Sequence, residues 1–262
     1  MAVAAKYGPW AVIAGASEGL GVSFAEQLAA AGINIILIAR NAEKLDDVAA
    51  MLVDRFAVQV RKAVIDLTSD DMVERVAAAS EDVDVGFLLY NAGAVSGPKL
   101  VIDQGREEIM HTIRLNTIGQ TMLAQHFGQK MVARGRGGIV LVGSGGAHAG
   151  CYQLAVYSAV KAYTMTFAEG LWAEMKPSGV DVAALMIGRT RTPALERSEY
   201  GQDSGFAAAE PDDIARFALA NLENGPVLVP PELQAAFLAM RAMPRRQAVE
   251  TMTRALAPQT SK

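Results

Sequence analysis

Tyr157 and Lys161 stand four apart in a helix-favouring stretch, which puts a phenol and an ammonium on one face of a helix. A free phenol titrates near pH ~10, and a neighbouring cation favours the phenolate, so the spacing predicts a Tyr157 pKa lowered toward neutrality. A tyrosine so tuned gives a proton to a carbonyl under reduction or takes one from an alcohol under oxidation. Ser144, within Gly143-Ser144-Gly145-Gly146 at the end of the apolar run 138–142, adds a hydroxyl for the same substrate oxygen. A Tyr/Lys pair also arises by chance on surface helices, so this chemistry requires elements elsewhere that bring a reactant to it.

The chain supplies such elements in order. Trp10–Ala14 is a short apolar run followed by Gly15-Ala16-Ser17-Glu18-Gly19-Leu20-Gly21 and a helical pattern through Phe24, Leu28 and Ala31. Strand, glycine turn and helix together suit a pyrophosphate, because glycines admit close backbone approach and the helix start offers amides and a favourable dipole. Gly15, Ser17, Glu18, Gly19, Leu20 and Gly21 are therefore candidate cofactor contacts. A second apolar strand, Asn34–Ala39, ends at Arg40. An acid there would bind the 2′-hydroxyl of NAD, whereas an arginine meets the 2′-phosphate of NADP, so Arg40 favours NADP(H) over NAD(H) against the plain alternative of a solvated strand end.

A third strand, 59–65, closes on Asp66-Leu67, where Asp66 serves an adenine amino group, a helix N-cap with Thr68 and Ser69, or both. A fourth, 84–90, delivers Asn91-Ala92-Gly93, small residues suited to a backbone passing close to a cofactor. Asn116 interrupts the long helical stretch 106–134 with Thr117 and Gly119 near it, which suggests a local kink holding a water, or a plain surface position. The strand 138–142 then presents Ser144, and a helix over 154–176 carries Tyr157 and Lys161. After a strand at 180–186, Gly188-Arg189-Thr190-Arg191-Thr192-Pro193 opens an irregular segment, expected to be a substrate lid over about 189–208. A helix at 211–222, a short strand at 227–229 and a methionine-rich helical tail at about 231–256 finish the chain, the tail being read as core or subunit packing, with soft methionines at a substrate pocket as the alternative.

The expected fold is α/β: one Rossmann-type, doubly wound parallel sheet of about seven strands with helices on both faces, in a single domain over 1–262. A net charge of −4 with 20% charged residues advertises neither nucleic acid nor an anionic membrane, and points to a small-molecule partner. Cys151 is the only cysteine, so an intrachain disulfide is excluded, a reducing cytoplasmic setting fits, and with three scattered histidines no metal is expected. No apolar run approaches the ~20 residues of a membrane span. His148, four residues past Ser144, borders the expected substrate pocket, although a lone loop histidine is more often structural; Arg189 and Arg191 are read by default as solvated.

These motifs resemble those of the short-chain dehydrogenases/reductases, over nearly the whole chain. Gly15-x-x-x-Gly19-x-Gly21 is similar to their cofactor turn, Asp66 to their adenine contact, Asn91-Ala92-Gly93 to their NAG motif, and Asn116, Ser144, Tyr157 and Lys161 to their catalytic four, with Ser144 thirteen residues before Tyr157. The resemblance implies that Tyr157 is the acid/base, Ser144 polarises the carbonyl, Lys161 holds the nicotinamide ribose and lowers the Tyr157 pKa, and Asn116 holds a relay water. It also implies that Gly188, Thr190 and Thr192 embrace the nicotinamide and that the protein is a homodimer or homotetramer built on its long helices. The stretch 7–48 is similar to the 3-oxoacyl and hydroxysteroid reductases of the family, which implies lipid-like ketones. Ala14, Tyr90 and Ile187 depart from the usual threonine, asparagine and proline, placing local rigidity of the cofactor bed in question. A cofactor-sensing or scaffold protein on the same fold is the alternative, one with no need for the catalytic four.

Overall fold

A computed structural model describes residues 3–93, 97–197 and 208–256. Within these, seven strands form one sheet in the order β3-β2-β1-β4-β5-β6-β7. They are β1 (Trp10–Ala14), β2 (Asn34–Ala39), β3 (Val60–Val64), β4 (Val85–Tyr90), β5 (Gly137–Val142), β6 (Val180–Leu185) and β7 (Val227–Leu228). Every pairing is parallel, from Ile35 against Val60 at one side to Leu185 against Leu228 at the other.

A parallel sheet needs cover on both faces, and the strands show it by alternation at period two. In β1, Ala11 and Ile13 enter one core layer with Phe24, Leu28, Leu45 and Ile214, while Trp10, Val12 and Ala14 enter the other with Leu123, Phe127, Ala168 and Leu171. The first layer is closed by α2 (Leu20–Ala30), α3 (Ala42–Phe56) and α9 (Pro211–Asn221), the second by α4 (Met72–Ala79), α6 (Gly119–Arg134) and α7 (Ala155–Met175). A short helix α1 (Val3–Tyr7), absent from the sequence expectation, docks beneath the sheet, where the Tyr7 hydroxyl donates to Asp181 Oδ2 at 2.8 Å.

Two long helical stretches depart from a single regular α-helix. The stretch 106–134 continues without a break from α5 (Arg106–Ile113) through a π-helical turn (Arg114–Ile118) into α6, so the irregularity near Asn116 is that π-helical turn, with helical backbone on either side of it. The tail is two helices, α10 (Pro231–Ala242) and α11 (Arg245–Leu256), because Pro244 holds Met243 extended (φ −73°, ψ 142°). Of the expected lid, 189–197 and 208 are described: they contain the short helix α8 (Pro193–Glu196), Thr190 forms a parallel bridge to Ala209 just past the lid, and 198–207 lie outside the described residues.

Candidate active site

The strand order reverses between β1 and β4, and in open α/β sheets a ligand binds at the carboxyl ends flanking that reversal. The glycine turn leaves β1 and Asn91-Ala92-Gly93 leaves β4, so both motifs line this crevice. The amides of Asn91 and Ala92 donate to Ala14 O at 2.9 and 2.8 Å, and Asn91 Nδ2 donates to Gly15 O at 3.0 Å. The turn is tight: a Cβ on Gly21 would lie 2.1 Å from Gly15 O. Gly19 precedes α2 with φ 57° and makes no side-chain cap, and the buried Leu20 starts the helix, so the first-turn amides face the crevice end. These residues fit a dinucleotide phosphate by the cradle that a side chain would fill.

Ser17 is partly buried at this turn, while Glu18 is committed to cations. Its carboxylate pairs with Lys44 Nζ at 2.5 Å and with Arg197 beyond α8, which holds it below the usual carboxylate range, the Arg197 hydrogen bond first. Thr192, which accepts from the Leu195 amide, packs over Gly19, so residues 190–197 sit on the turn. Arg40 is exposed at the end of β2, near enough to Asp66 to favour its carboxylate form. Asp66 is not a helix N-cap: α4 begins after Asp71, and Asp66 Oδ1 instead accepts from the Thr68 amide and hydroxyl at 2.9 and 2.8 Å in an Asx turn. Burial pushes its carboxyl up, but those two donors and the Arg40 and His111 charges outweigh this and leave it lowered. Leu67 is buried in the second core layer.

The four candidate catalytic residues come from three places. Asn116 sits buried in the π-helical turn, where Nδ2 donates to Thr112 O at 2.9 Å. Its Oδ1 and Lys161 Nζ both approach Gly93, at 3.0 and 3.2 Å from where a Cβ would stand. Ser144 follows β5 in extended backbone and accepts from Gly146 N at 3.1 Å. Gly146 also brings Ser144 to Tyr157: its Cβ position is 3.5 Å from both Ser144 Oγ and Tyr157 Cε1. Lys161 is 7% exposed, donates to Val142 O at 3.1 Å, and holds Nζ 5.9 Å from the Tyr157 ring centroid.

The charge states differ from the sequence expectation. Burial pushes the Tyr157 phenol up, the Ser144 hydroxyl beside it works the other way, and Lys161 is not among the causes. Lys161 is itself pulled down to about 8 by burial. Desolvation thus leads both shifts in the protein alone.

Three comparisons bear on this geometry. The family description "short chain dehydrogenase" matches residues 9–203. The chain belongs to the short-chain dehydrogenase family. A 7beta-hydroxysteroid dehydrogenase of Clostridium sardiniense is 32% identical over 213 residues, 80% of this chain and 81% of that one. A human protein named inactive hydroxysteroid dehydrogenase-like protein 1 is 32% identical over 219 residues, 83% of this chain and 66% of its own. A solved 7beta-hydroxysteroid dehydrogenase structure superposes with TM-score 0.89 at 27% identity, covering 96% of this chain and 99% of that one. A short-chain dehydrogenase from Sphingobium yanoikuyae, in complex with NADPH, has TM-score 0.79 at 31% identity, covering 97% and 98%.

In this short-chain dehydrogenase the three departures have local replacements. Without a threonine at 14, the brace between the glycine turn and the NAG segment is made by the Ala14 carbonyl and the Asn91 amide group. Tyr90 fills space above Gly119, where a Cβ would meet its hydroxyl at 2.2 Å, and donates to Leu115 O at 2.7 Å, satisfying a carbonyl of the π-helical turn. Ile187 O accepts from Gly145 N at 2.9 Å, fixing the loop after Ser144. Thr190 is buried, with Oγ1 donating to Gly188 O at 3.3 Å, and Leu233 of α10 packs on Gly188.

Sequence reasoning missed Tyr90 and Gly119 as a mutually fitted pair; a bulky aromatic before Asn91 with a glycine three residues past Asn116 was the available signal. For the tail, packing in the core or between subunits is the first expectation and methionines at a substrate pocket the second. The tail's Met240 and Met243 border the same buried cluster as Tyr157, formed by Ala149, Cys151, Leu154, Ala248 and Met252. Among the described residues no three His, Cys, Asp or Glu side chains gather as a metal would need, and no helix is long and apolar enough to cross a membrane.

Proposed function

We propose that this chain is an NADP(H)-dependent oxidoreductase acting on a carbonyl/alcohol pair of a hydrophobic substrate, a ketone of 3-oxoacyl or steroid-like type. The observation that carries this is the meeting of Ser144, Tyr157, Lys161 and Asn116 at the mouth of a crevice floored by glycine backbone. Gly15, Ser17–Gly21, Arg40, Asp66-Leu67, Asn91–Gly93, Gly188, Thr190 and Thr192 would hold the nicotinamide cofactor, which when bound would supply or accept hydride at the substrate carbon. Tyr157 Oη passes a proton to the substrate oxygen during reduction and takes it back during oxidation. Ser144 Oγ donates to that oxygen and stabilises the developing alkoxide. Lys161 Nζ, already facing Gly93 with Asn116 Oδ1, holds the nicotinamide ribose, and Asn116 positions a water of the proton path. Arg40, exposed at the end of β2, supports NADP over NAD through charge at the 2′-position; the NADPH complex of the Sphingobium yanoikuyae relative is consistent with it.

The test is titration of the purified protein with NADPH and with NADH by cofactor fluorescence, then turnover on a ketone panel. Tight NADPH binding with turnover that vanishes in Tyr157→Phe supports the reading; equal NADH binding unaffected by Arg40→Ala overturns the NADP assignment. A second reading, a cofactor-sensing or scaffold protein without significant turnover, draws on the human relative named inactive. NADPH binding with no turnover across the panel would favour it. A homodimer or homotetramer pairing α6 and α7 with those of a second copy, in the cytoplasm, completes the proposal.

A further inference from the structure

Gln120 is a buried glutamine in the first turn of α6, four residues past Asn116, and its side chain turns toward α7. A buried amide needs partners for its two hydrogens, and here both partners lie next to the catalytic groups. Gln120 Nε2 donates to Asn116 O within its own helix and to Thr164 Oγ1 across the helix pair, the latter at 2.9 Å. Thr164 is buried as well, stands three residues past Lys161 on the same face of α7, and donates to Val160 O at 3.2 Å. The π-helical turn makes the first of these bonds significant. Its wider ladder pairs the Gly119 amide with Arg114 O five residues back, and the next two carbonyls take side-chain donors, Leu115 O from the Tyr90 hydroxyl at 2.7 Å and Asn116 O from Gln120. With Asn116 Nδ2 held by Thr112 O, polar links run from Asn116 through Gln120 and Thr164 to the backbone beside Lys161. They tie together the two helical stretches whose Asn116 Oδ1 and Lys161 Nζ converge on Gly93.

We propose that Gln120, anchored on Thr164, is a positioning residue for the reaction: it fixes Asn116 Oδ1 against Lys161 Nζ and so sets the path by which a proton reaches Tyr157. Gln120 acts through Asn116 rather than on a reactant. Packing of Leu123 and Phe127 into the core holds α6 to the sheet without it, so its loss leaves the fold and loosens the register between the π-helical turn and α7. An apolar side chain of the same length fills the space but offers no hydrogens, and a carboxylate would add a buried charge, which leaves the amide as the group that serves both acceptors. Because the role concerns the proton path, it rests on the reductase reading and adds to it a residue outside the catalytic four.

The experiment uses the full chain with NADPH and a ketone that it reduces. Gln120→Met is expected to lower kcat about tenfold or more, with KM and NADPH affinity unchanged, and to raise the effect of D2O on kcat because the proton step slows relative to hydride transfer. Thr164→Val removes the anchor at nearly the same shape and gives a smaller loss, Thr164→Ser restores it, and the double variant Gln120→Met with Thr164→Val is no slower than Gln120→Met alone. Unchanged kcat in Gln120→Met, or additive losses in the double variant, overturns the proposal. Should Gln120→Met fail to fold, Thr164→Val against Thr164→Ser decides by the same readings. A measurement without turnover separates this role from the reductase reading: the side-chain amide resonance of Asn116 in asparagine-labelled protein, assigned by its absence in Asn116→Ser. It is expected to shift in Gln120→Met and in Thr164→Val and to return in Thr164→Ser. An Asn116 resonance that stays in place in both variants sinks the positioning role whatever the turnover, and one that shifts in a chain that reduces no ketone keeps the link between the helices and sinks the reductase reading.

Discussion

Burial sets the charges of the central pair. A tyrosine held protonated by its surroundings is ready as an acid, and replacing it by phenylalanine removes the transferable proton while keeping the ring. Tyr157→Phe is therefore expected to lower kcat by about a thousandfold with NADPH affinity unchanged, read by steady-state turnover and cofactor fluorescence. Lys161 offers a second residue-scale prediction. Its folded pKa of about 8 lies below the usual lysine value of 10.5, so between these pH values the unfolded chain holds more protons than the folded one, and stability rises with pH. Below about 8 the full cost of a charged, buried ammonium is present; above the unfolded value it is gone. The stability of the native chain minus that of Lys161→Met, from urea unfolding, is expected to rise by up to about 3 kcal/mol between pH 7 and 10.5. A flat difference would show that Lys161 keeps its ordinary titration in the fold.

Elements carry the site by how closely they approach one another. The π-helical turn at Arg114–Ile118 directs Asn116 inward, and its extra width is accommodated by Tyr90, which occupies the room left by Gly119 and ties down Leu115 O. Gly119→Ala places a methyl 2.2 Å from the Tyr90 hydroxyl and 3.1 Å from its Cζ. We expect a loss of about 1–3 kcal/mol in chemical unfolding, and a smaller loss when Tyr90→Phe is added, because the hydroxyl contact is then removed. Equal losses with and without Tyr90→Phe would place the strain elsewhere. Gly21→Ala acts at the other side of the crevice, where the new Cβ would stand 2.1 Å from Gly15 O. Since the clash is with backbone, the turn itself must move, and NADPH affinity is expected to fall more than tenfold while the far-UV circular dichroism keeps its helical signal.

For the whole molecule, the faces of α6 and α7 away from the sheet leave Met122, Val132 and Tyr163 exposed, with Tyr163 stacked on Phe167 at 5.5 Å. Apolar side chains on two long neighbouring helices suit burial against a second copy. Light scattering after gel filtration is expected to give at least twice the chain mass, and Val132→Glu to move the population toward the monomer; a native monomer would refute the pairing. The same scale shows why residues distant in sequence share one crevice. Parallel pairing through β1, β4 and β5 sets the ends of three strands side by side, so the glycine turn, Asn91–Gly93 and Ser144 arrive together from across the chain.

Much of this was legible in the residues. The strands of the two-sided core read as continuous apolar runs, the glycine turn followed β1 where a phosphate bed belongs, and Tyr157 and Lys161 fell on one helical face because a helix repeats every ~3.6 residues. These are local properties, written in composition and spacing. The protonation balance of the pair was not, because desolvation depends on everything packed around Tyr157 and Lys161, and it is the largest cause of both shifts. The fit of Tyr90 over Gly119 and the seating of the tail against His148 depend likewise on contacts across tens of residues. Sequence by itself determined which groups are available for chemistry; tertiary packing decided their charge, their neighbours and the seating of the tail against the cluster beside Tyr157, since burial and contact are properties of the folded chain alone.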